Sequence, residues 1–166
     1  MRAATTFLAT MTFVLAACGS QQSGTIEGDD GETGEYTIDT ATGEATATIE
    51  TEDGTATLRS GSNVPVDLPA GFTVYPGANV VSNTVVRQAG GSGNLLTMQS
   101  GDSPEKLAEF YKSQAESAGV KIEMEMATNG AQIIGGQSDD GLTFSIMASP
   151  TEDGTTAQLT VGKDLS

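Results

Sequence analysis

The chain has 166 residues, enough for one domain with a modest core and a tail. It carries 22 acidic and 7 basic side chains, a formal net charge of −15, which makes nucleic acid and anionic lipid headgroups poor partners. It has no histidine and a single cysteine, so the usual imidazole bases, zinc ligand sets and intrachain disulfides are excluded. We therefore expect no nucleic-acid partner, no metal site and no cofactor.

The N-terminus has the organisation of a secretory signal. Arg2 precedes a largely apolar stretch from Phe7 to Ala17, which as a helix would span about 16 Å. A bilayer core of about 30 Å needs roughly twenty apolar residues. Because the stretch is too short to cross a membrane, we expect an export leader.

The leader ends at the only cysteine. The segment Leu15-Ala16-Ala17-Cys18-Gly19 resembles the lipobox of bacterial lipoproteins. The resemblance implies recognition by a peptidase through Leu15, Ala16, Ala17 and Gly19, cleavage before Cys18, and acylation of Cys18 by chains such as palmitate. It also implies a lipid anchor in the bacterial cell envelope. Gly19 stands where some inner-membrane lipoproteins have aspartate, which by analogy favours the outer membrane, facing the periplasm.

We expect four segments: a signal peptide at 1–17, an acidic disordered tether at 18–34, a small β-meander at 35–62, and an α+β two-layer domain at 63–166. The tether has almost no large apolar residues, which is typical of disorder, and as a flexible coil it would reach roughly 20 to 25 Å. The meander alternates apolar and polar residues and has glycine-containing turns. Its apolar side chains are small, so it either leans on the rest of the protein or remains a loose ribbon.

The predicted fold class is α+β, with a single helix packed on an antiparallel sheet in the order ββαββββ. The helix is expected after Ser103 as N-cap, with Pro104 at its first position and Gly119 at its end. Asn129-Gly130 predicts a tight hairpin. The alternation in "VKIEMEM" places Met124 and Met126 on the same strand face as Val120 and Ile122, so we expect both methionines in the core.

A second resemblance covers most of residues 64–163. The segments "LPAGFTVYPGANVV" and "SPEKLAEFYKSQAESAGVKI", with a closing glycine-rich hairpin, resemble envelope lipoproteins of alphaproteobacteria. The helical segment is also similar to small bacterial domains built around a Pro-Glu-x-x-x-x-Phe-Tyr helix. These motifs are a turn, a capped helix and hairpins, so the resemblance implies a fold and no activity.

Two catalytic interpretations of the sequence compete with plain structural ones. Ser103 and Lys106 fit the S-x-x-K pattern of penicillin-recognising serine enzymes, but the partner motifs of that family are missing. Paired carboxylates could hydrolyse glycosides, yet the chain has few aromatic residues and no tryptophan. We therefore assign no catalytic residue, and an envelope hydrolase using Ser103 and Lys106 or paired carboxylates remains the alternative.

The acidic turns Asp139-Asp140-Gly141 and Glu152-Asp153-Gly154 lack the spacing of a calcium loop. They are therefore interpreted as solvated hairpin turns. The sequence then favours a lipid-anchored, non-enzymatic binding or scaffolding protein. Its expected partners are the membrane, through the anchor, and an envelope protein or glycan.

Overall fold

The computed structural model describes residues 21–27, 33–51, 54–69, 71–88 and 90–164. The predicted leader and its lipobox, including Cys18, lie outside these residues. The described ranges form ten strands and one helix. The strands are β1 (Gln21–Glu27), β2 (Thr33–Asp39), β3 (Ala45–Thr51), β4 (Gly54–Gly61), β5 (Asn79–Gln88), β6 (Gly91–Ser100), β7 (Lys121–Thr128), β8 (Ala131–Gln137), β9 (Leu142–Thr151) and β10 (Gly154–Lys163), and the helix is α1 (Pro104–Ser117).

All ten strands belong to one antiparallel sheet, in the order β1-β2-β3-β4-β5-β6-β10-β9-β8-β7. The predicted fold class, a helix on a small ββαββββ sheet with a meander and a disordered tether before it, is therefore wrong. The structure is mostly sheet. The predicted meander neither leans on the domain nor remains a loose ribbon. It continues the same sheet, because β4 pairs with β5 from Thr57↔Arg87 to Gly61↔Asn83.

The segment predicted as a disordered tether contains β1, which pairs with β2 from Gln21↔Asp39 to Glu27↔Thr33. The prediction relied on the scarcity of apolar side chains. However, an antiparallel ladder satisfies backbone N–H and C=O groups whatever the side chains are. A polar strand can therefore join an existing sheet edge.

The helix matches its prediction. Ser103 is the N-cap, with extended backbone angles (φ −73°, ψ 157°), and Pro104 opens the first turn. The Ser103 side chain makes no capping hydrogen bond. The helix ends before Gly119, whose φ of 87° is a left-handed conformation that favours glycine. No helix in the described part of the chain is both long and apolar enough to cross a membrane.

The core lies between α1 and one side of the sheet. We call this the helix side. The helix contributes Leu107, Tyr111 and Ala115, all fully buried. The connector between β4 and β5 adds Phe72, whose ring stacks on Phe144 with centroids 5.7 Å apart. The sheet contributes buried side chains from four strands: Leu96, Met98, Ile134, Leu142, Phe144, Ile146, Ala148, Ala157, Leu159 and Val161.

Strand β7 contains a register shift between Ile122 and Met124. Ile122 packs against the core, but the shift turns the following residues to the opposite side of the sheet. Met124 is 45% exposed and Met126 is 51% exposed, so the prediction that both are core residues is wrong. A β-bulge inserts one residue and so inverts the alternation on which the prediction depended. The Asn129-Gly130 hairpin is confirmed, since β7 and β8 close at Thr128↔Ala131.

Candidate functional site

The Ser103 and Lys106 pair is not arranged as a nucleophile and its base. The Lys106 ammonium donates to Asp102 Oδ1 at 2.7 Å, and this hydrogen bond raises the pKa of Lys106. The Glu105 carboxylate accepts from its own backbone N–H and from Ser103, and both contacts lower the Glu105 pKa. A lysine whose ammonium form is stabilised by a carboxylate is a poor base toward a serine hydroxyl. The geometry therefore gives no support to the hydrolase alternative at this position.

The carboxylates of the acidic turn between β8 and β9 form ion pairs with two lysines. Lys121 Nζ lies 2.6 Å and 2.7 Å from the two carboxylate oxygens of Asp139. Lys163 Nζ lies 3.0 Å from Asp140 Oδ2. Hydrogen bonds from Ser138 and Lys163 lower the pKa of Asp140. Within the described ranges, no three Asp, Glu, His or Cys side chains gather as a metal site would require.

A polar cleft of about 590 Å³ lies beside the turn between β9 and β10. It is lined by Asn79, Gln99, Thr155 and the turn residues Glu152 and Asp153, among others. The two carboxylates are consecutive along the chain. A glycosidase instead needs two carboxyl groups that flank the scissile bond from separate positions. The cleft therefore lacks the arrangement that the paired-carboxylate hypothesis requires.

The other side of the sheet, opposite α1, is here called the open face. Its positions follow from the strand registers, because side chains alternate between the two sides. One row across the open face is Met126, Ile133, Met147, Gln158, Thr97 and Ser82. The next row is Met124, Gly135, Ser145, Thr160, Leu95, Thr84, Ser60, Ala45, Ile38 and Gln22.

These two rows of the open face hold no charged residue at the positions that the structure describes. They are apolar, glycine, serine, threonine or glutamine. The charged residues of β2, β3 and β4 lie at the alternating positions, on the helix side: Glu35, Asp39, Glu50 and Arg59. Beyond the two rows, Lys121 pairs with Gln137, and Glu123 accepts a hydrogen bond from the Gln137 side chain, so the open face carries charge near the start of β7. Two rows without charge are still notable in a chain with a net charge of −15.

The apolar part of the open face near β7 is a cluster of flexible side chains. We define the methionine patch as Met124, Met126, Ile133 and Met147. Its three methionines are 44% to 51% exposed. Met124 reaches over Gly135, where an added Cβ would lie 3.5 Å from the Met124 methyl carbon. Methionine adapts its shape easily, and such patches are typical of binding surfaces that accept varied apolar partners.

Sequence reasoning missed this patch, although β9 carried a signal for it. Leu142, Phe144, Ile146 and Ala148 form one alternating set and are buried. Met147 falls in the other set, with Thr143, Ser145 and Ser149. An apolar residue at one of the alternate positions that are otherwise polar indicates an apolar side chain on the exposed side of the strand.

A family model described as START domain-like matches residues 80–156. The match runs from β5 to the start of β10 and includes α1, which is slightly less than half of the chain. Such domains generally bind ligands and are not catalytic, so the match is compatible with a non-enzymatic binding role. No curated protein matches the chain, and no solved structure does.

The space between α1 and the sheet is filled by the chain's own side chains. Leu107, Tyr111 and Ala115 of the helix are fully buried against Leu159 and Ile146 of the sheet. A ligand at that position would have to displace close-packed core groups. Within the described part of the chain, the open face is therefore the surface best suited to a binding role.

Proposed function

We propose that the protein is a non-enzymatic binding protein of the bacterial cell envelope, anchored by lipid at Cys18 and facing the periplasm from the outer membrane. Its binding surface is the methionine patch on the open face of the sheet. The START domain-like match supports a binding role. The lipobox resemblance at Leu15-Ala16-Ala17-Cys18-Gly19 supports the anchor.

The observation that carries the binding role is the exposure of Met124, Met126 and Met147 together in two rows without charged side chains. Exposed apolar side chains that are scattered singly need no explanation, but a contiguous group marks an interaction surface. Ser145 and Gln158 flank Met147, and their polar groups can satisfy a few hydrogen bonds of a bound partner. The arrangement is an apolar centre with a polar border, which includes the charged groups of Lys121 and Glu123 beside Gln137.

The partner that fits this surface is an uncharged apolar segment of another envelope protein. A charged partner would lose hydration at the patch, whose own four residues offer it no ion pair. A strongly acidic protein also repels acidic partners at long range. An uncharged apolar segment avoids both costs, and methionine side chains can adjust to its shape.

The anchor is tested by the intact mass of the protein purified from bacterial envelopes. We expect the wild-type mass to lack residues 1–17 and to include an acylated glyceryl group on Cys18. The Cys18→Ser variant should carry no acyl mass. A wild-type chain that retains its initiator methionine and has no acyl group would overturn the proposed anchor.

The binding surface is tested in native envelopes by photo-crosslinking, with p-benzoylphenylalanine in place of Met147. The matched control has the same residue in place of Val81, which is 41% exposed and lies in the register shift of β5. We expect a discrete adduct from position 147 that is lost when Met126→Lys is added, and no such adduct from position 81. The binding role would be overturned by no adduct at 147, or by the same adducts at both positions.

A further inference from the structure

The open face continues from the methionine patch onto the first four strands. We define the meander face as Tyr36, Ile38, Ala45, Ala47, Ile49, Ala56 and Leu58. These residues share one side of β2, β3 and β4, because Tyr36↔Ala47↔Leu58 and Ile38↔Ala45 are paired across the strands. Ile38, Ile49 and Leu58 are 37% to 38% exposed. The first strands thus form an amphipathic ribbon with its apolar side away from the helix side of the sheet.

No other helix or strand in the described ranges covers the meander face. Among the described elements, β1 to β4 contact only their neighbours in the sheet and β5, whereas α1 contacts only β7 to β10. The opposite side of the same strands is polar and charged, with Glu35, Glu50 and Arg59. This charge distribution decides which side of the strands can be buried, since only the meander face can leave water without desolvating a charge.

The start of β1 places the meander face close to the proposed anchor. The strand begins at Gln21, three residues after Cys18, and three residues of chain span at most about 10 Å. Gln22, beside that start, pairs with Ile38. A bilayer holding the acyl chains of Cys18 would therefore lie within reach of Ile38 and Tyr36.

We propose that the meander face lies on the surface of the membrane that holds the lipid anchor, with Tyr36, Ile38, Ile49 and Leu58 at the headgroup level. This inference rests on the proposed acylation of Cys18. Tyrosine favours the membrane interface because its ring is apolar and its hydroxyl is polar, and Tyr36 extends across Gly24 of the outermost strand.

The chemistry favours a lipid surface with no net charge. The net charge of −15 opposes approach to anionic lipid, and the meander face offers no lysine or arginine that could pair with a phosphate. Zwitterionic lipid avoids the long-range repulsion. Because acylation holds the protein at the surface, the meander face needs only a modest affinity of its own.

The test uses lipidated full-length protein in vesicles of zwitterionic phosphatidylcholine. Since Cys18 is the only native cysteine and its thiol would be acylated, an introduced cysteine can be labelled alone. An environment-sensitive NBD dye is placed by Leu58→Cys, and by Thr55→Cys on the other side of the same strand. A second pair, Ile49→Cys and Thr48→Cys, covers the case in which one variant fails to fold. A doxyl group on the lipid quenches a dye only near the lipid chains.

We expect several-fold stronger doxyl quenching at position 58 than at position 55, and the same contrast between 49 and 48. Adding an anionic phospholipid should reduce the contrast. Equal quenching on both sides, with protein that still floats with the vesicles, would overturn the inference and leave the anchor intact. Dye at 58 that is shielded from aqueous iodide but not quenched by doxyl lipid would indicate a second copy of the chain, and would also overturn it. Protein that does not float with the vesicles would overturn the anchor and the inference together.

Discussion

The hydroxyl of Tyr111 accepts a hydrogen bond from the backbone N–H of Tyr75 at 2.9 Å and donates one to Met98 Sδ at 3.3 Å. Tyr111 is fully buried on α1, and burial raises its pKa to about 12. Tyr75 belongs to the connector that leads from β4 into β5. The contact therefore joins the helix, the connector and β6 at a single oxygen atom inside the core.

Replacing Tyr111 with phenylalanine should lower the free energy of unfolding by about 1 to 3 kcal/mol, because the N–H of Tyr75 loses its acceptor inside the protein. Urea denaturation measures the change. Tyr75→Phe is the matched control, since it removes a hydroxyl whose hydrogen bond goes to Asp102 at 3.0 Å, near the surface. A Tyr111→Phe variant no less stable than Tyr75→Phe would contradict the role assigned to this contact.

Local signals made α1 and one hairpin predictable. Pro104 and Gly119 specify the ends of the helix through backbone constraints that act within a few residues. Asn129-Gly130 specifies the hairpin in the same way, with φ of 49° and 79° at the two positions. These features do not depend on distant parts of the chain, so sequence reasoning could place them.

The sheet and its open face depend on contacts that the sequence does not display. Strand β1 exists through pairing with β2, and β4 joins the sheet through β5. The composition of the β1 segment predicts disorder, because composition reflects the number of apolar side chains and not the backbone hydrogen bonds that a neighbouring strand supplies. The exposure of Met124 depends on one inserted residue in β7, which an alternating pattern cannot reveal.

The glycines of β8 should respond very differently to alanine. A Cβ on Gly136 would lie 2.1 Å from the backbone oxygen of Lys121, next to the register shift in β7. On Gly135, the nearest atoms would be 3.5 Å away, which is ordinary contact. We expect Gly136→Ala to cost about 1 to 3 kcal/mol or more through overpacking, and Gly135→Ala to cost under about 1 kcal/mol.

Urea denaturation of both variants, with circular dichroism as the probe, makes this comparison within one strand. Because Gly135 and Gly136 are neighbours, they share strand propensity and differ in the space beside them. Equal losses of stability in the two variants would show that the close approach of β7 and β8 at the bulge is not tight.

Acid should lower the free energy of unfolding partly through protonation of Asp102. Hydrogen bonds from Lys106 and Tyr75 lower the pKa of Asp102 below its ordinary value of 3.8. The stabilisation is therefore present above the unfolded-state pKa and is lost as the pH falls through the lower folded-state value. Asp102→Asn should make the free energy of unfolding fall less steeply between about pH 5 and pH 2, because the unfolded chain no longer takes up that proton.

Lys106→Gln serves as the companion variant, since it removes the main cause of the lowered Asp102 pKa and keeps the carboxyl group. In this variant too, the free energy of unfolding should fall less steeply with decreasing pH than in the wild type. The change should be smaller than for Asp102→Asn, because the Tyr75 hydroxyl still donates to Asp102. Urea titrations at a series of pH values provide the slopes. An Asp102→Asn slope identical to the wild type would refute the assignment.

Substitutions at two adjacent residues of β9 should distinguish a core side chain from one on the proposed binding surface. Ile146 is fully buried on the helix side, whereas Met147 is 44% exposed on the open face. Ile146→Ala should cost about 2 to 5 kcal/mol, the usual range for a truncated core side chain. Met147→Thr should change stability by less than about 1 kcal/mol, because the removed methyl and sulfur already contact water and threonine suits an exposed strand position. If Met147→Thr instead destabilised the purified protein as much as Ile146→Ala, the methionine patch would be part of the folding core, and its exposure could not be attributed to a partner.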